Sequence, residues 1–463
     1  MRRALCVALV ALAAAPAAHS ATPWQRVSGP TLPGPQLGLW RDKYGTLSVA
    51  WQQGKPATIN VTRLDETGTA TGSSTVTSNF DGLAGLALIG MPDGSLRLFA
   101  AGGIERGVRG DGINSFTSPP GGTTWTFDSN GPFGGAVANA AAEVGATLAG
   151  NGWIVTTWGG AIVHIGVKPS DGDPSYQQDL GCCGAEPQLV TQADGSVVLA
   201  WITNSSSAVG TVVREILPTP EAQFLLPSGV NAGSFGLAAG SSGGSYVAYV
   251  EPAKQRVQLY RYQGGVPLTL ATGAFSVAKV FAGPGGRMWV MWGSSDGGID
   301  VTRSDEAVQH FEPVQHIAFP AGTFGFYNAQ GEGSRGPLDL FADLAIVPND
   351  RGFWRTHVDP QLTVTAKASV QEIVTHPDGS AKDHKAHVGR LTFVVTDAGD
   401  PVNGVHISYG AASEGVHITT NHIGVAHGKL ALDKSGHIPP GLKLKVRVER
   451  TGYPLTTIVV TGQ

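Results

Sequence analysis

The stretch DGSVVLAW, residues 194–201, decides how this chain is read, because the chain repeats it. Relatives stand at 44–51 (YGTLSVAW), 93–100 (DGSLRLFA), 151–158 (NGWIVTTW), 243–250 (GGSYVAYV), 285–292 (GGRMWVMW) and, more weakly, 335–342 (RGPLDLFA). Each reads as a tight turn followed by an alternating strand. Aligned on Gly45, Gly94, Gly152, Gly195, Gly244, Gly286 and Gly336, four of the seven copies carry tryptophan six places on: Trp51, Trp158, Trp201 and Trp292.

The intervals between these glycines are 49, 58, 43, 49, 42 and 50 residues, the period of radial β-propellers, whose blades are four-stranded sheets. A solenoid would keep a stricter period. Around residue 194 one blade can be followed strand by strand: EPQLVTQ as the inner strand, ADG as the turn, SVVLAWI as the second strand and VGTVVREIL as the third. No long helical pattern interrupts the units. The expected fold is all-β, with a β-propeller over residues 21–360; seven blades are expected, with six plus one irregular insertion as the competing count.

Composition bounds the setting. Arg2 and Arg3, the apolar run ALCVALVALAAAP and the small residues AHS before Ala21 fit a secretory signal peptide over residues 1–20. That run is too short to span a bilayer, and no later stretch reaches about 18 apolar residues, so a secreted protein without a membrane span is expected. Without Arg2 and Arg3 the formal charge moves from −4 to −6, and no basic stripe offers a nucleic acid a surface. Charged residues are 14% and glycines 65 of 463, the texture of short strands and many turns. Cys6 leaves with the leader. The exported chain keeps the neighbours Cys182 and Cys183, which could form a strained vicinal disulfide or remain free thiols.

Residues 118–125, SPPGGTTW, match the pattern Ser-x-Asp-x-Gly-x-Thr-Trp at Ser118, Gly122, Thr124 and Trp125, with Pro120 where the carboxylate would stand. The segment VTRSDEAVQHFEP, 301–313, keeps Ser304, Glu306 at the acid position and Phe311 at the aromatic one. These resemble the Asp-box hairpins of BNR-repeat, sialidase-like propellers. The resemblance implies that each segment is the turn after a blade's third strand, a folding device away from the channel, with the aromatic packed between sheets.

After Pro360 tryptophan disappears and runs such as QLTVTAKASV, RLTFVVTDAG and LKLKVRVER follow. The segment TDAGDPVNGVHISYG, 396–410, resembles the D-x-G-x-P-V-x-G turn of bacterial Ig-like domains, so residues 361–463 are expected to form a C-terminal Ig-like β-sandwich, a spacer or adhesion module. Eight of the thirteen histidines lie here, among them His384, His387, His417, His422 and His427. They read as surface residues, since neither cysteine nor a tight acidic cluster completes a metal site. The DGD at 171–173 reads as a turn. No metal and no cofactor is expected.

Propellers bind ligands at the mouth of the central channel, where the inner strands begin. Nine places before the marker glycines stand Gln36, Gly85, Glu143, Glu186, Phe235, Val277 and Tyr327. Gln36, Glu143, Glu186 and Tyr327 are candidates for a polar ring, Phe235 for a stacking surface, and Cys182 with Cys183 for a rigid plate beside Glu186. A shift of one residue would turn each side chain to the other face. The sialidase resemblance implies three arginines around a carboxylate and a Tyr–Glu nucleophile pair. Glu143 or Glu186 with Tyr327 could imitate the pair. The Phe-Arg-Ile-Pro motif is absent, however, and Arg41, Arg214, Arg303 and Arg335 are not spaced to converge. Neither a G-x-S-x-G elbow, nor HExxH, nor a P-loop occurs. The expected function is binding of an extracellular glycan or cell-surface ligand by a monomer, with sialidase-like hydrolysis and a structural or adhesive role as the alternatives.

Overall fold

The computed structural model describes residues 23–29, 36–53, 58–77, 80, 82–103, 112–121, 123–128, 143–159, 162–168, 176–182, 184–205, 208–226, 228, 235–241, 243–273, 275, 277–346, 350–375, 384–410, 415–439 and 442–461. The leader 1–20, Gly122, the DGD at 171–173 and Cys183 lie outside the described residues, as do the side chains of Glu143, Trp158, Cys182 and His384.

The chain is all-β and divides into two compact units, one of residues 21–302 and 316–358, the other built from 303–315 and 359–463. Among the described residues the first unit holds seven four-stranded antiparallel sheets. Six follow the chain without crossover, each strand pairing with the next. The seventh takes Gly325–Glu332, Leu338–Ala345 and Arg351–Val358 from one end of the unit and Gln25–Arg26 from the other. The first strands of consecutive sheets pack side by side, and that of the seventh packs beside that of the first.

One turn explains the repeat. Five residues separate the first and second strands of every sheet, 42–46 in the first and 333–337 in the seventh. The marker glycine is the fourth of the five in six sheets; in the fifth, 240–244, Gly243 is the fourth and the marker Gly244 the last. All seven adopt positive φ, from +80° at Gly152 to +120° at Gly336, a region that L-residues with a Cβ rarely enter. In the fourth sheet Gln192 N–H donates to Ser196 O (2.8 Å), Gly195 N–H donates to Gln192 O (2.9 Å), and Asp194 Oδ1 accepts from Ser196 N–H (2.9 Å). The same frame recurs at Asp42 and Met91.

The second strands do not alternate as the sequence pattern suggested. Ser245–Glu251 and Leu338–Ala345 are buried at every position. A neighbouring sheet covers each face: Val198, Ala200 and Ile202 of the fourth sheet share a core with Phe235, Val247 and Tyr249 of the fifth, while Val197, Leu199 and Trp201 point into the core shared with the third. Strands covered on both sides read as continuous apolar runs. Fourth strands such as Ala70–Thr77 are largely exposed, so burial falls from the first strands outward.

Both Asp-box-like segments lie between third and fourth strands. In the second sheet Ser118 ends the third strand, and Trp125 precedes the fourth, donating from Nε1 to Ser74 Oγ of the first sheet (3.0 Å). At 304–311 the acid that ties the turn is Asp305, not Glu306. Its Oδ1 accepts from Gln309 N–H (2.7 Å), and its Oδ2 lies 2.8 Å from His310 Nδ1.

In the second unit, Leu362–Thr375, His384–Asp397, Asp400–Pro401 and Val425–Leu430 form one sheet, and Val416–Thr419, His406–Tyr409, Lys443–Glu449 and Thr456–Thr461 the other. Leu391, Phe393 and Val395 of the first meet Ile407, Val446 and Val448 of the second in a common core. Residues 303–315 join this unit through Arg303, which is clamped between Glu312 (3.2 Å) and Asp397 (2.5 Å).

Candidate functional site

The first strands of all seven sheets line a cavity of about 240 Å³. Most of its lining residues are apolar in type, but polar atoms supply most of the surface they expose, and among the described residues the lining contains one acid, Glu186, and one cation, Lys279.

Glu186 reaches this cavity through an irregularity in its strand. In Gly184–Thr191, Ala185 pairs with Ile202 while Gln188 pairs with Ala200, so one extra residue is accommodated across Glu186 and Pro187. Glu186 itself has φ +51°. A bulge re-aims a side chain, and left-handed φ at a non-glycine residue stores strain that recurs at functional sites. Lys279 comes from the first strand of the sixth sheet, Ala278–Ala282, on the far side of the fifth. Gly236 of the fifth sheet makes that approach possible. A Cβ there would sit 2.6 Å from Val280 N and 2.8 Å from Lys279 Cα.

The two charges stand 3.7 Å apart, Lys279 Nζ to Glu186 Oε2, with side chains 6% and 7% exposed. That is an ion pair, but too long for a hydrogen bond. Glu186 Oε2 is buried and has no hydrogen-bond partner among the described residues. Lys279 has the Phe235 ring 5.9 Å from its Nζ as a further neighbour. Burial pushes the Glu186 carboxyl above its ordinary range, and Lys279 pulls it part of the way back.

The remaining polar groups of the wall hold neighbouring strands together. Gln188 accepts from Leu237 N–H at Oε1 (2.9 Å) and donates from Nε2 to Phe235 O (3.4 Å). Gln330 does the same between the seventh and first sheets, accepting from Leu37 N–H (2.6 Å) and donating to Leu37 O (3.1 Å). Gln36 accepts from Val144 N–H (3.3 Å).

Of the residues expected at the mouth, Gln36 and Glu186 line the cavity. Phe235 is 0% exposed and packs in the core between the fourth and fifth sheets, so its face is not open for stacking. Tyr327 is the bulged residue of its strand, between Phe326, which pairs with Leu344, and Asn328, which pairs with Asp343. It is 44% exposed and carries the Arg351 guanidinium 3.9 Å over its ring, while Asn328 and Gln330 take the lining positions. Glu143 opens its strand opposite Gly159, and Cys182 ends the outermost strand of the third sheet opposite Ile162. Their side chains, and Cys183, lie outside the described residues.

Sequence reasoning missed Lys279, Gln188, Asn328 and Gln330. The signal for Lys279 was present, as the one charge in SVAKVFAG. The arginines weighed for a carboxylate clamp are placed elsewhere. Arg41 is paired with Glu332 and Asp339, Arg335 with Lys43 O, and Arg303 with Glu312 and Asp397; none lines the cavity. Arg41, Arg355 and His357 surround Asp339 and seal the seam between the first and seventh sheets. Among the described residues no group of three His, Cys, Asp or Glu could hold a metal ion. No helix among them is long and apolar enough to cross a membrane.

No protein-family model matches the chain, the BNR repeat included, and no curated protein matches it as a relative. Solved β-rich structures are similar at low identity. A polysaccharide lyase aligns with a TM-score of 0.46 and 12% identity, over 72% of this chain and 91% of that one. A protein of unknown function from Dyadobacter fermentans aligns at 0.44 and 10%, over 69% and 93%. PorZ, a bacterial surface component of the type-IX secretion system of Porphyromonas gingivalis, aligns at 0.44 and 11%, over 91% of this chain and 58% of PorZ. Likeness at this level does not carry an activity from one chain to another.

Proposed function

We propose that this is a secreted binding protein: a seven-bladed β-propeller over residues 21–360, an Ig-like sandwich over 361–463, and a site at the propeller's channel that takes the end of an extracellular glycan. The observation that carries the reading is the Glu186–Lys279 pair, buried in the channel wall, beyond hydrogen-bond distance, and held there by a bulge with left-handed φ. A structural core would favour closing such a pair or replacing it with apolar groups, because buried charges are costly to leave incompletely satisfied. The cavity, about 240 Å³, is below the ~300 Å³ at which pockets for drug-sized ligands begin, and suits one ring at a chain end. Cys182 and Cys183, just before Glu186 in sequence, would form a vicinal disulfide that stiffens the approach. A sialidase would need arginines free to hold a carboxylate, and Arg41, Arg303 and Arg335 are already engaged.

The test is a glycan array probed with residues 21–463, beside Glu186→Gln and the double variant Cys182→Ser/Cys183→Ser, with a reporter-sialoside cleavage assay in parallel. Selective binding that weakens in Glu186→Gln, without turnover, is the expected result. Turnover would replace the reading with the hydrolase. Silence throughout would leave a structural or adhesive protein.

A further inference from the structure

The chemistry of the Glu186–Lys279 pair narrows the ligand class, resting on the binding reading above. We propose that this pair reads neighbouring hydroxyls of an uncharged sugar ring and discriminates against acidic sugars.

The argument begins with the 3.7 Å gap. One hydroxyl oxygen placed at ordinary hydrogen-bond distance from both groups can accept from Lys279 Nζ and donate to the Glu186 carboxylate through Oε1, the oxygen that is not buried. A second hydroxyl on the adjacent ring carbon can do the same, since an ammonium has three donors and a carboxylate about four acceptor sites. Hydroxyls are therefore the groups that complete both partners at once. Gln188 and Gln330 are committed to main-chain groups of the next strand, while Gln36 and Asn328 engage only their amide oxygens, with Val144 N–H (3.3 Å) and Ala329 N–H (2.9 Å), so the ion pair is the charged recognition element of the wall, with two amide nitrogens as auxiliary donors.

Charge balance then selects among sugars. Among the described residues the lining has one acid and one cation, and no arginine. An uncharged ring keeps that balance. A uronate brings a second carboxylate beside Glu186 and must be stripped of water to enter, a cost a single lysine already shared with Glu186 does not offset. An amino sugar meets the mirror problem at Lys279. Phe235 adds to the preference from behind, because its ring face favours the cation remaining on Lys279.

The experiment is isothermal titration of residues 21–463 with the methyl glycosides of glucose, galactose and mannose, and with the matching methyl uronosides and 2-amino glycosides. Glu186→Gln and Lys279→Met are titrated beside them, with thermal unfolding to establish that each variant is folded. At least one neutral glycoside is expected to bind, its uronoside about tenfold or more weaker, and Glu186→Gln to lose about tenfold or more for the neutral ring, the scale of a hydrogen bond to a charged group. A uronoside binding as tightly as its neutral counterpart overturns the specificity and leaves the binding site standing. Equal affinity in wild type and a folded Glu186→Gln places the site elsewhere. Absence of binding across all three sugar classes overturns the inference and the glycan reading together.

Discussion

At the scale of single residues, the cavity depends on what is missing from a side chain as much as on what is present. Gly236 has main chain on the far side of its hydrogens, Val280 N and Lys279 Cα, so an added methyl cannot be absorbed by a flexible neighbour. Gly236→Ala is expected to destabilise the protein by ~1–3 kcal/mol through overpacking, read as a lower urea midpoint at unchanged slope. It should also weaken any ligand of the Glu186–Lys279 pair, because the displaced strand carries Lys279. Gln188 tests the opposite case. Gln188→Ala leaves Leu237 N–H and Phe235 O without their partner, and ~1–3 kcal/mol is expected from the same measurement. Tyr327→Ala, on the surface, should cost less than either, about the 0.5–1 kcal/mol of an exposed cation–π contact.

At the scale of elements, the five-residue turn and the inner strand differ in how legible they are. The turn imposes left-handed φ on its fourth residue, and that demand puts glycine there in every copy, Gly243 in the fifth, so the repeat could be read directly while its count stayed open between seven and six. Gly195 shows the constraint at its strongest: its φ is +87°, and a Cβ would lie 2.7 Å from Gly150 Cα of the neighbouring turn. Gly195→Ala is expected to lower the thermal midpoint by several degrees, ~1–3 kcal/mol of strain and crowding. The inner strand carries no such imprint. Bulges at Ala84, at Glu186–Pro187 and at Tyr327 each insert one residue, and one residue exchanges the faces of a strand. Positions nine places before the glycine fall on the bulges at Glu186 and Tyr327, whereas Lys279 and Gln330 stand seven and six places before theirs in unbroken register, so fixed spacing reached Glu186 and missed them. The turn at 304–311 shows the same limit, since the carboxylate that ties it stands one position before the expected one.

In the other unit, burial pushes the Glu312 carboxyl up to about 8, against the pull of Arg303 and with Asp397 adding to the rise. A folded-state pKa raised above the unfolded value means the native state holds the proton longer. The resulting stability is full below the ordinary glutamate range and is lost as pH rises toward about 8. Thermal midpoints measured from pH 5 to 9 should fall with rising pH across that window, and Glu312→Gln should flatten the fall. A midpoint that rises instead would show that Arg303 outweighs burial.

At the scale of the whole molecule, the two ends of the first unit meet in the seventh sheet, where its first strand adds to the Asp339 cluster and the Gln330–Leu37 bonds that seal the seam. Gln25 and Arg26 pair with Arg355 and Trp354, Val27 N–H donates to Phe353 O (3.0 Å), and Phe353 N–H donates to Ser28 Oγ (2.8 Å). Removing residues 21–29 is expected to cost a few kcal/mol, ~1 for each hydrogen bond lost, and to expose the edge of Arg351–Val358, seen as a lower thermal midpoint and faster amide exchange on that strand. The two-residue strand was not legible in the sequence because its pairing depends on residues more than three hundred positions away, with too few side chains to show a period. Its consequence is temporal. Gln25 meets Arg355 330 positions later, so the earliest strand of the unit to leave the ribosome is the last to find its place. Six sheets can assemble as they emerge, each against its predecessor, while the first waits with an open flank. Pairing of Gln25–Arg26 with Arg351–Val358 is then expected to be the slowest step in the folding of this unit, and any delay there gives proteases and neighbouring chains their opening.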